Sequence, residues 1–425
     1  MESFHAEYEK VYPRQAAVEI PAPTKASRKK ARATPPVPPP PPVQHTPAQE
    51  AVLAKINIAE NLLRFSKSGD DTDALVFWGE DKVKRRVSHG ELHDRVAGLA
   101  AHFRGIGLKV GDRVAGFVPN MPESIIGAFA TASLGCVWSS CSPDFGVRGV
   151  LDRFGQIEPR VLITADGYWY NGKSHDCLER VREILAKLPS VEEVLVIPYL
   201  SQHPDISKVP NARLIDDVIA ANKGAALTYE RVEFNHPLYI MFSSGTTGVP
   251  KCIVHGQGGT LLQHLKEHRL HSDVKPHDRV FYFTTCGWMM WNWLISGLGS
   301  GATLLLYDGS PFAPNGNILW DFAQAERCTF FGTSAKYIDA CLKAEINPMK
   351  THDLSTLRGI GSTGSPLVPA GTPTSKPFMI HSLLGAPSNP EHQISVASPK
   401  KCSYQGSAKL SGPCTSLRTR PREKA

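Results

Sequence analysis

Between Phe242 and Lys251 the chain reads Phe-Ser-Ser-Gly-Thr-Thr-Gly-Val-Pro-Lys, which places four hydroxyls and two glycines ahead of a single lysine. Glycine lets backbone N–H groups turn toward an anion with no Cβ in the way. Ser243, Ser244, Thr246 and Thr247 add hydroxyl donors around Gly245 and Gly248, and Lys251 adds a point charge suited to a phosphate. A Ser/Gly cluster usually marks only a polar turn. Here the Pro250-Lys251 ending and the apolar runs on both sides, residues 238–242 and 252–254, favour an anion-binding loop. It is not a Walker A loop, in which Ser or Thr follows Gly-Lys, because Lys251 follows Pro250 and precedes Cys252. A second pattern, His264-Leu-Lys-Glu-His268, has the spacing of inverted zinc proteases, with both histidines on one helical face. Zinc would also need a third ligand and a water position. No second motif supplies that ligand, so a protein-held metal is not expected.

The elements that must carry this loop follow from periodicity. Ser88-His-Gly-Glu91 has capping-box spacing, and Leu92, Val96, Leu99 and Phe103 mark one face of a helix that Gly105 can end. Residues 113–118 read as a buried strand. Helix 123–134, strand 136–139, helix 147–156, strand 161–164, helix 174–188 and strand 191–197 follow. A second series begins near Leu238, with strands centred on 280–283, 304–307, 329–331 and 357–361. Strand and helix alternating with short connections predict an α/β fold with largely parallel sheets covered on both faces.

The net charge of +7 belongs to the ends. Residues 51–367 carry 32 basic and 33 acidic side chains, whereas residues 1–50 contribute 7 against 5 and residues 368–425 contribute 8 against 2. A nucleic-acid-binding fold is therefore not indicated. Residues 1–50, with the basic run Arg28–Arg32 and the proline tract 35–43, are expected to be a disordered tail able to bind a partner domain. After Leu367 the periodicity stops, and a disordered basic tail is expected over 368–425. Nine cysteines without a Cys-x-x-Cys pair suit a reducing, cytosolic compartment. The first residues lack a secretory signal, and the most apolar stretch, 289–307, reads as helix end, turn and strand rather than a membrane span.

Residues 243–251 resemble the phosphate-binding signature of the acyl-adenylate-forming superfamily, which activates carboxylates with ATP. Within it, further runs look like the acetoacetyl-CoA synthetase family: Ile56-Asn-Ile-Ala-Glu-Asn-Leu-Leu-Arg64, Trp138-Ser-Ser-Cys-Ser-Pro-Asp-Phe-Gly146, Gly287-Trp-Met-Met-Trp-Asn-Trp293, Tyr307-Asp-Gly-Ser-Pro311 and Ser362-Thr-Gly-Ser-Pro-Leu367. The likeness covers about residues 54–367. It implies two doubly wound βα subdomains of an adenylate-forming N-terminal domain, flanked here by the tails. It implies ATP, Mg²⁺ and coenzyme A as cofactor and co-substrates, acetoacetate as the acid, and a place in ketone-body and fatty acid metabolism. Matched position to position, Ser243 through Lys251 hold the β- and γ-phosphates, with Lys251 and Thr247 as the catalytic members. Gly364, Ser365 and Pro366 lie against the adenine. Trp288, Met289 and Met290 line the acyl pocket, unless the tryptophans are simply core. Thr363 reaches the 3-keto oxygen, and Arg148 or Arg153 meets a coenzyme A phosphate, unless both lie on a solvated helix face.

Enzymes of this kind continue beyond the position of Leu367 with a second adenine motif, an aspartate for the ribose, a hinge and a small C-terminal domain carrying the adenylation lysine. Residues 368–425 match none of these. The chain is accordingly expected to be truncated on that side, weakly active or inactive, and to expose apolar surface. The rival expectation is a non-catalytic interaction protein with residual nucleotide binding.

Overall fold

The computed structural model describes residues 55–243 and 248–363. The two expected tails, four loop residues (244–247) and the adenine run Gly364–Pro366 lie outside the described residues. Fifteen strands are present among the described residues. In chain order they are β1 (Asp73–Gly79), β2 (Val83–Ser88), β3 (Arg113–Phe117), β4 (Val137–Cys141), β5 (Val161–Ala165), β6 (Gly167–Tyr170), β7 (Lys173–Asp176) and β8 (Glu193–Ile197). Then come β9 (Ala212–Leu214), β10 (Pro237–Phe242), β11 (Cys252–Gly256), β12 (Arg279–Tyr282), β13 (Thr303–Asp308), β14 (Phe330–Ser334) and β15 (Gly359–Thr363).

Thirteen of them form a seven-stranded sheet in the order β11-β10-β4-β3-β5-β8-β9 and a six-stranded sheet in the order β15-β14-β12-β13-β1-β2, and β6 and β7 pair with each other as an antiparallel two-stranded sheet. Within the two large sheets pairing is parallel except at β10–β11 and β1–β2. The expected split into two consecutive series is corrected here. β10 and β11 complete the first sheet, while β1 and β2, early in the chain, join the second. Sheet membership is a long-range property that local periodicity cannot carry.

Strand side chains alternate between two cores, as the period of two requires. Leu75 and Phe77 of β1, Val114 of β3, Leu195 of β8 and Leu304 and Leu306 of β13 all enter one shared cluster. Their neighbours turn the other way. Val76, Trp78 and Leu305 pack under helices Ile318–Ala325 and Ala335–Lys343. Ala115, Phe117 and Val194 pack under helices Val147–Ile157 and Leu178–Leu185. The shared cluster contains helices His89–Gly105 and Pro122–Ser133, so the layers run helix, sheet, helix, sheet, helix. All residues of Pro122–Ser133 are buried, the polar Glu123, Ser124, Thr131 and Ser133 included.

The first helix matches its sequence signals closely. Ser88 caps it by accepting the Glu91 N–H at 3.1 Å, and Leu92, Val96, Leu99 and Phe103 are fully buried. It ends at Gly105, but the left-handed residue is Gly107, at φ +77°. The predicted helix 174–188 is corrected to the hairpin β6–β7 followed by the shorter helix Leu178–Leu185. Asn171 and Gly172, at φ +55° and +75°, form its turn, and Asn-Gly is the strongest local hairpin signal. The buried Glu80 carboxylate holds this turn by accepting the N–H groups of Asn171 and Gly172 at 2.7 and 2.8 Å. It accepts the Ser310 N–H as well, at 2.8 Å.

Phe103→Ala is expected to lower stability by about 3–5 kcal/mol through loss of a fully buried ring. Ser88→Ala, which removes only the cap, is expected to cost about 1 kcal/mol. Urea denaturation of both variants measures the difference.

Candidate active site

In open α/β sheets, ligands bind outside the carboxyl ends of the strands. Those ends meet here. Ser140, near the end of β4, donates to the carbonyl of Cys286, in the segment after β12, at 2.7 Å. Ser139 donates to the Ile240 carbonyl of β10 at 2.8 Å. Asn120, in the turn after β3, sends its amide N–H groups to the carbonyls of Thr284 and Tyr307, each at 3.4 Å, and accepts the Trp291 indole N–H at 3.0 Å. The ends of β3, β4, β10, β12 and β13, from two sheets, are thus tied into one rim.

The Ser/Gly/Thr loop leaves this rim at the end of β10 and returns as β11, so it is the connection of an antiparallel hairpin. Its stem is closed reciprocally: the Ser243 N–H donates to the Lys251 carbonyl at 3.0 Å, and the Lys251 N–H donates to Ser243 Oγ at 2.9 Å. Gly248 is exposed at φ +137°, a conformation that excludes ordinary side chains. Lys251 is exposed. Gln156, on helix Val147–Ile157, steadies the stem by donating to the Pro250 carbonyl at 2.8 Å.

The same helix carries the two candidate arginines. The Arg148 side chain is 95% exposed and meets only Asp152, at 3.8 Å, as a solvated helix face would. Arg153 lies over the rings of Phe145 and Phe242, 4.7 and 5.8 Å from their centroids, and donates to the Gly149 carbonyl at 2.7 Å. It therefore sits beside the foot of the phosphate loop.

Helix Met289–Ile295 begins directly after the rim. Trp288 is 61% and Met289 39% exposed, whereas Trp291 and Trp293 are buried, so the core reading holds for the latter two and not for Trp288. Met290 is half-buried against the shared core. Thr363, at the end of β15, has its hydroxyl 2.8 Å from that of Tyr282, which also reaches the Thr333 carbonyl at 3.2 Å. The structure therefore finds the Thr363 hydroxyl already partnered. Between β4, β10 and the new helix lies a small cavity lined by Trp138, Ser140, Met241, Cys286, Gly287 and Asn292. Trp138, Ser140 and Asn292 belong to two of the quoted motifs. A polar residue inside an apolar aromatic run was the available signal for Asn292.

Both histidines of the second pattern lie in the core. His264 Nδ1 pairs with Ser296 Oγ and His268 Nε2 with the Trp293 carbonyl, both at 2.8 Å, and both rings are buried. Burial pushes their pKa values down to about 3 and about 4, so both stay neutral. Among the described residues, no group of three or more His, Cys, Asp or Glu side chains could hold a metal.

A different titratable group was missed. Asp308, at the end of β13, is half-buried, and desolvation pushes its carboxyl up to about 7 despite the Tyr199 hydroxyl 3.3 Å away. Because the unfolded carboxyl titrates near 4, the folded state alone keeps the proton between about pH 4 and 7.

The chain belongs to the AMP-binding enzyme family, whose model matches residues 64–374. It is similar to the acetoacetyl-coenzyme A synthetase of Rhizobium meliloti (strain 1021), 57% identical over 319 residues, covering 75% of this chain and 48% of that protein. It is 41% identical to the malonamoyl-CoA synthetase vrtB of Penicillium aethiopicum, over 75% of this chain and 47% of that protein. The acetoacetyl-CoA synthetase from Streptomyces lividans superposes with a TM-score of 0.70 at 46% identity, over 74% of this chain and 48% of that one. The expected resemblance and the adenylate-forming fold are thus both found. The chain spans about half the length of the curated relatives it matches. Among the described residues no helix is long and apolar enough to cross a membrane.

The proton held by Asp308 makes wild-type stability fall as pH rises from about 4 to about 7, by up to about 1.4 kcal/mol per pH unit. Asp308→Asn is expected to remove that slope and to be more stable than wild type at pH 8. Urea melts of both proteins at half-unit pH steps check it.

Proposed function

We propose that this chain carries the phosphate-gripping and acyl-binding part of an acetoacetate–CoA ligase site. The observation that carries the reading is the hydroxyl-rich hairpin loop. It rises from the carboxyl end of β10 beside a small cavity whose wall ties together both sheets. The similarity to synthetases of two related acids supports the substrate class.

In this reading, residues 54–367 belong to one adenylate-forming domain. Ser243, Ser244, Gly245, Thr246, Thr247 and Gly248 present N–H and hydroxyl donors to the β- and γ-phosphates of ATP, and Lys251 adds the closing charge. Gly364, Ser365 and Pro366 lie against adenine. A carboxylate oxygen of acetoacetate attacks the α-phosphorus, and the bond to the bridging oxygen breaks, releasing pyrophosphate. Donors fixed beforehand where charge accumulates, chiefly Lys251 and Thr247, lower that barrier most effectively. A Mg²⁺ ion bound with the nucleotide would supply further charge neutralisation on the phosphates. Trp288 and Met289 form the exposed wall of the acyl pocket, with Met290 and Thr363 beneath. The coenzyme A thiol then attacks the acyl carbon and AMP departs. Arg153, held against Phe145 and Phe242, is better placed than the solvated Arg148 to meet a phosphate of that substrate. All seven described cysteines are free, which supports a cytosolic setting.

Residues 375–425 lie outside the family match. Nucleotide binding is the primary readout for the matched part. Lys251→Ala is expected to weaken ATP binding about 10- to 100-fold, the loss of one charge-assisted contact worth about 1.5–3 kcal/mol. Titration calorimetry with ATP and Mg²⁺ measures this, alongside pyrophosphate release with acetoacetate. A wild-type chain that binds no ATP would sink the ligase reading.

A further inference from the structure

Gln156 stands on the exposed side of helix Val147–Ile157, where a glutamine ordinarily faces only water. Here its amide reaches a segment 94 residues further along the chain. Nε2 donates to the Pro250 carbonyl at 2.8 Å and to the Asp152 carbonyl, one turn back in its own helix, at 2.5 Å. Oε1 accepts the Cys252 thiol at 3.7 Å, a weak bond of the kind sulfur makes. Its two partners on the β10–β11 hairpin are the residues immediately before and after Lys251.

The main chain of Lys251 is held from the other limb as well, through the reciprocal pair with Ser243. Three residues before Gln156, and so on the same helical face, Arg153 lies over the Phe242 ring, 5.8 Å from its centroid. Phe242 in turn pairs with Cys252 across the hairpin. One helix face therefore grips both limbs of the hairpin at the end from which the loop leaves. This matters because β11 is the edge strand of its sheet, with a neighbouring strand on one side only. The peptide groups around Lys251 are fixed from two elements, while its side chain is exposed.

We infer that Gln156 is a positioning residue for Lys251. It fixes the main chain on either side of the lysine, so that the ammonium group is presented to the terminal phosphates of a nucleoside triphosphate. This rests on the ligase reading above and deepens it. A lysine has a long flexible stem, and ordering it on a ligand costs conformational entropy. Backbone freedom at the same residue would add to that cost, and a backbone fixed beforehand removes the addition. In this assignment Gln156 touches no phosphate and acts only through Lys251. A glutamine that merely stabilised the hairpin would change nucleotide affinity whether or not the lysine were present.

The test is a double-mutant cycle on the whole 425-residue chain, with the Kd for ATP and Mg²⁺ read by titration calorimetry. Gln156→Met keeps the length of the side chain and removes both polar atoms. Because the site is exposed, its Tm is expected to stay within about 2 °C of wild type. ATP binding is expected to weaken about three- to tenfold, as for one lost hydrogen bond. Gln156→Ala should show the same loss and guards against the methionine itself obstructing the loop. In the Lys251→Ala background, the Gln156 substitutions are expected to change ATP affinity less than about twofold. Wild-type ATP affinity in either Gln156 variant would overturn the inference while leaving the ligase reading standing. So would an equal loss with and without the lysine, which would leave Gln156 as a hairpin-stabilising residue only. A wild-type chain that binds no ATP would remove that reading and this inference together.

Discussion

Helix Pro122–Ser133 has no side turned to water, and that single constraint fixes the arrangement of everything around it. A helix buried on its whole circumference must be enclosed by other layers. Here it lies with helix His89–Gly105 in the core that the two sheets share. Each strand must then offer apolar side chains to two cores at once, which is why β1, β3, β8 and β13 are almost continuously apolar. The acid of the enclosed helix, Glu123, is admitted because Arg85 and Arg95 reach it at 2.5 and 3.2 Å. A buried carboxylate without such partners would be strongly destabilising.

Enclosing one helix layer between two sheets also brings their carboxyl ends together. The rim that results is made largely of groups whose hydrogen bonds are spent on one another: Ser139, Ser140, Asn120 and the Trp291 indole. Such mutual commitment holds the β10–β11 hairpin and helix Met289–Ile295 in register. What stays uncommitted is correspondingly informative. Lys251 is exposed beside the loop, and among the described residues the buried Asn292 Oδ1 has no hydrogen-bond partner.

Local signals were read well where the local interaction decides. The Ser88 cap, the Leu92–Phe103 face and the buried strand at residues 113–117 depend on neighbours within a turn or two. The Asn171-Gly172 turn was equally local and was passed over because an apolar pattern downstream suggested a longer helix. The histidine pair shows a different case: its spacing fits a metal motif for which the sequence supplies no third ligand, and the packing against Ser296 and Trp293 places both rings in the core.

The chemistry of the anion loop, with glycines for access, hydroxyls for donors and one lysine for charge, was set by the sequence alone, because those properties travel with residue type. So was the alternation of strands and helices. Which strands share a sheet, which tryptophan is open and which asparagine is left unpaired were decided by tertiary structure. Each of these depends on groups far apart in the chain, such as Ser140 and Cys286 or Asn292 and Met241, whose meeting no local period encodes.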